Sequence, residues 1–312
     1  MENLLVNKVA AVKEVRQAAE YQKKKQACIL TGLAGSSKPV FFAAADKLLG
    51  GKGSMAFITA SREEIRTYRR ELNYLYPDLP MQELYPVSLP RVQADTQSLE
   101  LQAGRAAALR FLSGDERGIV FITAEALQQK QLRPSGMSGK ALQLAVGEEH
   151  EQRNIAAALL DLGYERTEQV DALGQFCLRG DILDVYPINS STAVRIEWFD
   201  NELDAMRSFD VDTQRSLQTL TSIKIAPLKV DESFSYDADI FEYCAADTMV
   251  VVDEPVHVFS MLEKLDKENK EHASELFGKQ ELIEQLAANG AVLVSALAGG
   301  GDYAADYAFR QH

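Results

Sequence analysis

Short apolar runs that alternate with helical stretches place the strongest constraint on how this chain can fold. Strands that follow one another through helices are joined by crossover connections, and such connections produce a mostly parallel sheet. The first third of the sequence therefore predicts an α/β domain. Its predicted strands are Ala27–Thr31, Met55–Thr59, Met81–Tyr85 and Gly118–Thr123, and its predicted helices include Pro39–Leu49 and Thr96–Leu112.

One of the helices in this alternation carries a clear start signal. Ser61 and Glu64 have the spacing of a capping box. In such a box the serine hydroxyl accepts a hydrogen bond from the amide of residue 64, and the glutamate carboxylate accepts one from the amide of residue 61. Pro77 cannot continue a helix. We therefore predict a helix that begins at this box and runs to about Tyr76.

The middle third changes to the pattern of an antiparallel sheet. A predicted strand, Lys140–Val146, and a helix, Glu149–Leu162, come first. Short alternating runs follow, separated by turn-forming pairs, which is typical of β-hairpins. An inserted α+β domain is therefore expected. Its runs are Gln175–Arg179, Ile182–Tyr186, Val194–Phe199 and Ala205–Phe209, with turns at Gly180-Asp181 and Asp200-Asn201.

The last third returns to strand and helix alternation. Thr248–Val252 and Ala291–Leu297 are predicted strands, and a long charged helix is predicted over 256–288. Charge changes with the pattern: residues 1–138 carry +5, residues 139–228 carry −7 and residues 229–312 carry −11. We predict a parallel α/β domain in two halves, 1–138 and 229–312, with the α+β domain 139–228 inserted between them.

Composition excludes several classes of protein. No stretch approaches the ~18 consecutive apolar residues of a membrane-spanning helix, and no secretory signal opens the sequence. The net charge of −13 argues against a general duplex-binding protein. The cysteines and histidines are scattered without ligand spacing, which predicts no metal site and a reduced, cytoplasmic protein. They are Cys28, Cys177, Cys244, His150, His257, His272 and His312.

A degenerate phosphate loop lies between the first predicted strand and helix. Gly32 and Lys38 match the first and seventh positions of the pattern GxxxxGK[ST], and Gly35 lies between them. Ser37 replaces the second glycine, and Pro39 replaces the hydroxyl that holds Mg²⁺. Because proline supplies no metal ligand, we expect no hydrolysis at this loop. An ordinary Gly/Ser turn opening a helix is the simpler interpretation of so imperfect a motif.

An acid pair follows the predicted strand of the last third. Asp253 and Glu254 come after three valines, as the Mg²⁺-binding and water-activating acids of nucleotide hydrolases do. A buried strand that ends in solvated acids is the more common source of any single match. Together with the degenerate loop, the pair indicates a nucleotide-hydrolase fold whose catalytic chemistry has decayed, here called a degenerate P-loop domain.

Four sequence blocks in the middle third closely resemble one known domain. They are Gly163–Val170, Gly174–Pro187, Val194–Asp204 and Phe209–Ser216. These blocks resemble the inserted domain shared by the excinuclease subunit UvrB and the bacterial transcription-repair coupling factors. Weaker resemblance extends over Arg105–Leu109, Gly118–Gln131 and Val250–Pro255. The resemblance implies a UvrB-like, RecA-like fold with an inserted domain.

The chain is closer to the coupling factors than to UvrB. UvrB has an intact phosphate loop and an aromatic hairpin that clamps DNA, whereas Ser37 and Pro39 interrupt the loop here. The segment Leu84–Ala103 contains Tyr85 but no tyrosine cluster. In the coupling factors the N-terminal UvrB-like module has lost ATPase activity and the DNA clamp. No translocase motor motif is visible, so we expect an N-terminal fragment that needs no cofactor. ATP and Mg²⁺ would serve the motor of the longer protein.

The resemblance implies a partner for residues 139–228. In both families this domain docks onto UvrA, the damage-recognition ATPase. Arg166 and Arg179 match family contact positions, and Phe176 lies beside them, while Cys177 replaces a further arginine of the UvrB pattern. A solvated strand residue or an ion pair within the domain is the simpler reading of each arginine on its own.

The expected function is therefore that of an adaptor. The module would recruit UvrA to stalled RNA polymerase in transcription-coupled nucleotide-excision repair, and later domains of the full protein would contact polymerase and duplex DNA. One alternative is a UvrB-like, ATP-dependent damage-verification subunit or helicase half. Another is a DNA-binding module that uses the +5 first third. For Lys23, Lys24 and Lys25, contact with a phosphate backbone is one interpretation, and a solvated helix face is the simpler one. No membrane association is expected.

Overall fold

The structure is a computed structural model that describes residues 4–89, 99–134, 141–228, 236–297 and 310–311. The chain divides into two compact units. Unit 1 comprises Met1–Ala94, Ala108–Gln131 and Asp237–His312, and unit 2 comprises Asp95–Ala107 and Leu132–Tyr236. The predicted boundary at residues 138 and 139 and residue 229 of the second boundary lie outside the described residues.

The strands of both units are numbered in chain order. They are β1 (Cys28–Thr31), β2 (Met55–Thr59), β3 (Met81–Leu84), β4 (Ile119–Thr123), β5 (Gln131–Leu132), β6 (Leu142–Ala145), β7 (Glu165–Arg166), β8 (Gln175–Arg179), β9 (Ile182–Val185), β10 (Ala193–Phe199), β11 (Glu202–Phe209), β12 (Ser216–Thr219), β13 (Ser222–Ile225), β14 (Tyr236–Ala238), β15 (Met249–Asp253), β16 (Val292–Ser295) and β17 (Arg310–Gln311).

The α-helices are numbered in the same way. They are α1 (Leu4–Ala10), α2 (Lys13–Lys23), α3 (Ser37–Leu48), α4 (Arg62–Leu75), α5 (Leu99–Ser113), α6 (Ala124–Gln128), α7 (Gln152–Asp161), α8 (Pro255–Glu268) and α9 (Lys279–Ala288). Two 3₁₀ helices, Ile240–Tyr243 and Lys270–Glu275, lie on either side of α8 in the chain. None of the helices within the described ranges is long and apolar enough to cross a membrane.

Unit 1 contains the parallel sheet that the sequence predicts. Six strands have the order β1-β16-β15-β2-β4-β3, and the two-residue β17 adds to the edge beside β1. All of the pairings between neighbours are parallel. The central strands β2, β4 and β15 are buried along their whole length, because helices cover both faces of such a sheet. The predicted α/β fold is confirmed.

The capping box is also confirmed. Both of its reciprocal hydrogen bonds are present, with the Ser61 amide donating to Glu64 Oε2 at 3.1 Å. The helix, α4, ends at Leu75, one residue before Tyr76 and two before Pro77. Local sequence therefore sets both ends of this helix.

The prediction of one long helix over 256–288 is wrong, because the helix is interrupted within this range. Helix α8 ends at Glu268, the 3₁₀ turn Lys270–Glu275 follows, and α9 begins at Lys279. Apolar spacing continues on both sides of the break, which is why the sequence reads as one helix. Glu263 of α8 accepts hydrogen bonds from Lys267 and from Lys279 of α9, and these lower its pKa to about 2.

Unit 2 is built on a six-stranded sheet in the order β12-β11-β10-β9-β8-β7. The hairpins β8–β9 and β10–β11 are antiparallel, as predicted, and β12 adds a further antiparallel strand that the sequence did not predict. Only the short edge strand β7 runs parallel to its neighbour. Strands β6 and β13 form a separate antiparallel pair. The predicted inserted antiparallel architecture is confirmed.

The two faces of this sheet differ in character. One face packs against α7 and forms a continuous apolar core. The members of this core include Ile155, Leu159, Phe176, Leu183, Ile196 and Trp198. The opposite face, which we call the open face, carries a small buried apolar cluster that includes Ala193 and Phe209. It also carries a row of polar side chains at paired positions on four neighbouring strands, and the first two members of this row are buried. In strand order the row is Cys177, Asp184, Arg195 and Arg207.

We predict that truncating Phe57 at the centre of unit 1 strongly destabilises the fold. Phe57 is 1% exposed, and its ring centroid lies 4.8 Å from that of Phe42 and 4.7 Å from that of Tyr68. Phe57→Ala leaves a cavity among these rings and should lower the free energy of unfolding by about 3–5 kcal/mol. Tyr74→Ala, on the exposed side of α4, is the control and should change it by less than about 0.5 kcal/mol. Urea unfolding of both variants measures this, and equal effects would contradict the packing described.

Candidate functional site

The degenerate phosphate loop of unit 1 keeps the backbone path of a tight turn into a helix. Gly32 and Gly35 have φ angles of +84° and +54°, a conformation that favours glycine. A Cβ atom on either glycine would meet nothing within 4 Å, so the backbone angle and not crowding accounts for these two residues. Helix α3 then starts at Ser37, and Pro39 lies in its first turn, where a missing N–H is tolerated.

Two backbone amides and one hydroxyl of this loop donate to carbonyls of the loop itself. The amide of Ser37 donates to the carbonyl of Ala34 at 3.3 Å, and the amide of Lys38 donates to that of Gly35 at 3.2 Å. The Ser37 hydroxyl donates to the Ala34 carbonyl at 2.8 Å. A phosphate-binding loop needs such amides directed at the ligand. The geometry is that of a hydrogen-bonded turn.

The structure brings together the two motifs that the sequence predicts in unit 1. Lys38 Nζ donates to Asp253 Oδ1 at 2.6 Å and to Glu254 Oε1 at 2.5 Å. The side chains of Lys38 and Asp253 are each 5% exposed, and that of Glu254 is 20% exposed. We call these three residues the lysine–acid cluster. Its ammonium lies between both acids, where a metal ion would be expected in an active hydrolase.

The two acids of the cluster have opposite electrostatic environments. Burial raises the pKa of Asp253 above its ordinary value, even though Lys38 and the Tyr68 hydroxyl oppose that shift. Burial also acts on Glu254, but hydrogen bonds from Lys38, Ser295 and the Ala296 amide lower its pKa overall. The Glu254 carboxylate thus has three donors around it. Little acceptor capacity remains for a metal ion.

The residues of this site do not fit a magnesium-nucleotide. Pro39 has no hydroxyl for the metal, Lys38 is engaged by carboxylates, and the amides of Ser37 and Lys38 are engaged by carbonyls. Each of these groups would contact phosphate or metal in a working phosphate loop. The arrangement is therefore a pair of salt bridges that joins α3 to the end of β15.

The predicted contact residues of unit 2 lie in different environments. Arg179, at the end of β8, has a side chain that is 55% exposed, and its Nη2 donates to Asp184 Oδ2 at 3.2 Å. Arg166 is exposed on the edge strand β7. Because Arg166 pairs in register with Phe176, it falls on the core-side face, whereas Arg179, three residues beyond Phe176, falls on the open face. A surface that includes both arginines must wrap around the β7 edge.

The structure places Phe176, the third residue expected at the docking surface, away from the solvent. Phe176 is completely buried in the core of unit 2, beside Leu183 and Val185. Strand alternation explains this placement, because residues 176 and 178 of β8 point into the core and residues 177 and 179 point away from it. Cys177 is also buried, with its thiol donating to the carbonyl of Glu168 at 3.0 Å.

Two further residues near Arg179, Asp184 and Arg195, belong to this group and were not predicted from the sequence. Asp184 accepts two hydrogen bonds from Arg195, from Nε at 2.6 Å and from Nη2 at 2.8 Å. A carboxylate inside the apolar run of β9 was an available signal, since buried acids require a partner. Which residue supplies that partner depends on the register of β9 and β10, and the sequence did not give that register.

Comparisons with known proteins agree with this architecture. Residues 142–230 match the family described as the UvrB interaction domain. The chain is 36% identical over 203 residues to a transcription-repair-coupling factor of Bacillus subtilis, 32% over 202 residues to that of Staphylococcus haemolyticus, and 28% over 165 residues to that of Escherichia coli. These alignments cover 64%, 64% and 53% of the chain.

The chain is short beside these relatives, since the alignments cover 17%, 17% and 14% of their lengths. The family match lies in unit 2, which contains the open face and both candidate arginines. Residues 142–230 are thus similar to the UvrB interaction domain, and the resemblance of the chain to the transcription-repair coupling factors is confirmed.

Proposed function

We propose that this chain is an adaptor module whose unit 2 docks onto UvrA in transcription-coupled nucleotide-excision repair. The observation that carries the proposal is the match of residues 142–230 to the UvrB interaction domain. The similarity to transcription-repair-coupling factors supports the repair setting. In a longer protein of this kind, other domains would contact RNA polymerase and duplex DNA in the cytoplasm.

The open face has the chemistry of a surface that binds an acidic partner. Arg179 is half exposed and uses one guanidinium nitrogen on Asp184. Its other N–H donors can form paired hydrogen bonds with a carboxylate of a partner. Arginine is enriched among the residues that dominate binding energy at protein interfaces. We therefore place Arg179 at the centre of the proposed contact.

Arg166 would extend the contact around the edge of the sheet. It lies on β7, which pairs with β8 on one side only and so forms the edge. Because Arg166 and Arg179 lie on opposite faces of the sheet, a partner that binds both must contact the two faces at the β7 edge. A contact of this shape also covers the unpaired backbone groups of the edge strand, which otherwise invite pairing with other chains.

We further propose that unit 1 neither binds nor hydrolyses ATP, and that its lysine–acid cluster serves the fold. The engaged loop amides and the replacement of the metal-binding hydroxyl by Pro39 support this assignment. A UvrB-like ATPase, the main alternative, requires these groups to be free for phosphate and metal. The two functions therefore differ in a direct measurement of nucleotide binding.

The first prediction concerns UvrA binding. Arg179→Ala should weaken the affinity of the chain for UvrA by about 30-fold or more, since losing an interface arginine typically costs about 2–5 kcal/mol. Arg166→Ala should weaken it in the same direction. Calorimetric titration measures both affinities, and thermal melts of the same samples should show little change.

A matched control for these variants is Arg153→Ala. Arg153 is an exposed arginine of unit 2 that is paired only locally with Glu151. Its loss should leave UvrA binding unchanged. Unchanged affinity in the Arg166→Ala/Arg179→Ala double variant would show that the contact lies elsewhere. A large fall in melting temperature would instead assign the arginines to the interior of the domain.

The second prediction concerns nucleotide. A ligand present at 100 times its dissociation constant stabilises a protein by about 2.7 kcal/mol. Thermal melts of this chain with Mg-ATP at about 100 times a micromolar dissociation constant should therefore show no shift. Steady-state hydrolysis assays should show no turnover, with or without DNA. A saturable rise in melting temperature, or DNA-stimulated turnover, would support the ATPase alternative.

The third prediction concerns the lysine–acid cluster. Lys38→Met leaves two carboxylates without their cation and should lower the free energy of unfolding by about 3–5 kcal/mol at pH 7.5. Without Lys38 the pKa of Asp253, which burial already raises, should rise further, and the pKa of Glu254 should lose the largest of the contributions that lower it. The loss should therefore shrink as the pH falls towards about 4.5, because the acids become neutral in the folded state.

Urea unfolding at the two pH values tests this dependence. Lys52→Met is the matched control, because Lys52 is an exposed lysine of the same unit. It should change stability by less than about 0.5 kcal/mol at either pH. An equal loss for Lys38→Met at both pH values would show that packing of the lysine stem, and not its charge, supports the fold.

A further inference from the structure

We propose that Asp184 is a positioning residue that holds Arg179 in the conformation in which it binds UvrA. This inference rests on the proposed function and adds to it a residue that would not itself contact the partner. Asp184 has a side chain that is 2% exposed, so it lies beneath the open face. A buried carboxylate is a fixed point of negative charge at the base of the exposed arginine.

Asp184 is itself held firmly by Arg195. The two hydrogen bonds between them form a paired arrangement at 2.6 and 2.8 Å, and the Arg195 side chain is 18% exposed. Paired arginine–carboxylate bonds fix orientation as well as distance. The position of the Asp184 carboxylate is therefore set by β10 before Arg179 contributes anything.

Arg195 is held by residues at the end of β11 and in the turn that follows it. Arg195 Nη2 donates to Gln214 Oε1 at 3.2 Å, and the guanidinium lies 4.7 Å from the centre of the Phe209 ring. Gln214 has a φ of +58°, a left-handed conformation, and beside it the Thr213 amide and hydroxyl both donate to Asp210 Oδ1 at 2.7 Å. A chain of contacts thus runs from this turn through Arg195 to Asp184.

Arg179 lies at the outer end of this series of contacts. Its single bond to Asp184 is the longest of the three at that carboxylate, at 3.2 Å. Asp184 therefore restrains Arg179 and leaves most of its donors to the solvent side. With two arginines and one carboxylate, the group keeps one excess positive charge at the open face. Restraint before binding raises affinity because less side-chain freedom is lost on association.

A double-mutant cycle on UvrA affinity tests the inference. The variants are Asp184→Asn, Arg179→Ala and their combination, each titrated with UvrA and each melted. We expect Asp184→Asn alone to weaken binding by about 3- to 10-fold, and to have no further effect when Arg179 is already alanine. A merely structural role would give the same fold-loss in both backgrounds and would overturn the inference. A gain in affinity would also overturn it, since Asp184 would then compete with the partner.

Further variants keep the test decisive. If Asp184→Asn unfolds unit 2, Arg195→Lys replaces it in the same cycle, because lysine keeps the charge but cannot hold Asp184 at two points. The same coupling to Arg179 is then expected, and its absence overturns the inference. Glu151→Gln, which removes the local pair of Arg153, is the control and should leave affinity unchanged. If Arg179→Ala alone leaves affinity unchanged, the proposed docking surface fails, which is a different outcome.

Discussion

The pairing of late strands with early ones is the constraint on which the rest of unit 1 depends. Strand β16 lies between β1 and β15, and β15 pairs with β2, so residues from the last part of the chain form the middle of the sheet. Lys38 and Asp253, 215 residues apart in sequence, meet at the end of these strands. Without Met249–Ser295 the first strands would lack their central neighbours. Loop closure over such a distance must precede the contacts that reward it.

The lysine–acid cluster is a set of three charges that depend on one another. Burying three charges is costly, and their mutual attraction offsets that cost only while all of them are present. Removing the lysine leaves two buried acids without their cation, and removing an acid leaves the lysine with one fewer carboxylate to balance its charge. Ser37 and Pro39 lie in the first turn of α3, which accepts both residues. The charged residues are thus tied to one another, while the groups that would contact phosphate are not.

Much of the fold follows from the sequence because its signals are local. Ser61 and Glu64 set the start of α4, and turn pairs such as Gly180-Asp181 set the hairpins. The break between α8 and α9 was missed because apolar spacing persists across it. The burial of Phe176 was missed because family resemblance carries no information about which face of β8 a residue occupies. The bonds between Asp184 and Arg195 depend on the register between strands, which no local pattern specifies.

The two units differ in the kind of sheet they contain. A parallel sheet has helices on both faces, so the central strands of unit 1 are buried and offer no open face. An antiparallel sheet can pack one face and leave the other to solvent. In unit 2 the core with α7 uses one face, and alternation then places Asp184, Arg195 and Arg179 together on the other. The packed face thus lies beneath a face on which Asp184 pairs with both Arg195 and Arg179, and this arrangement suits the proposed docking surface.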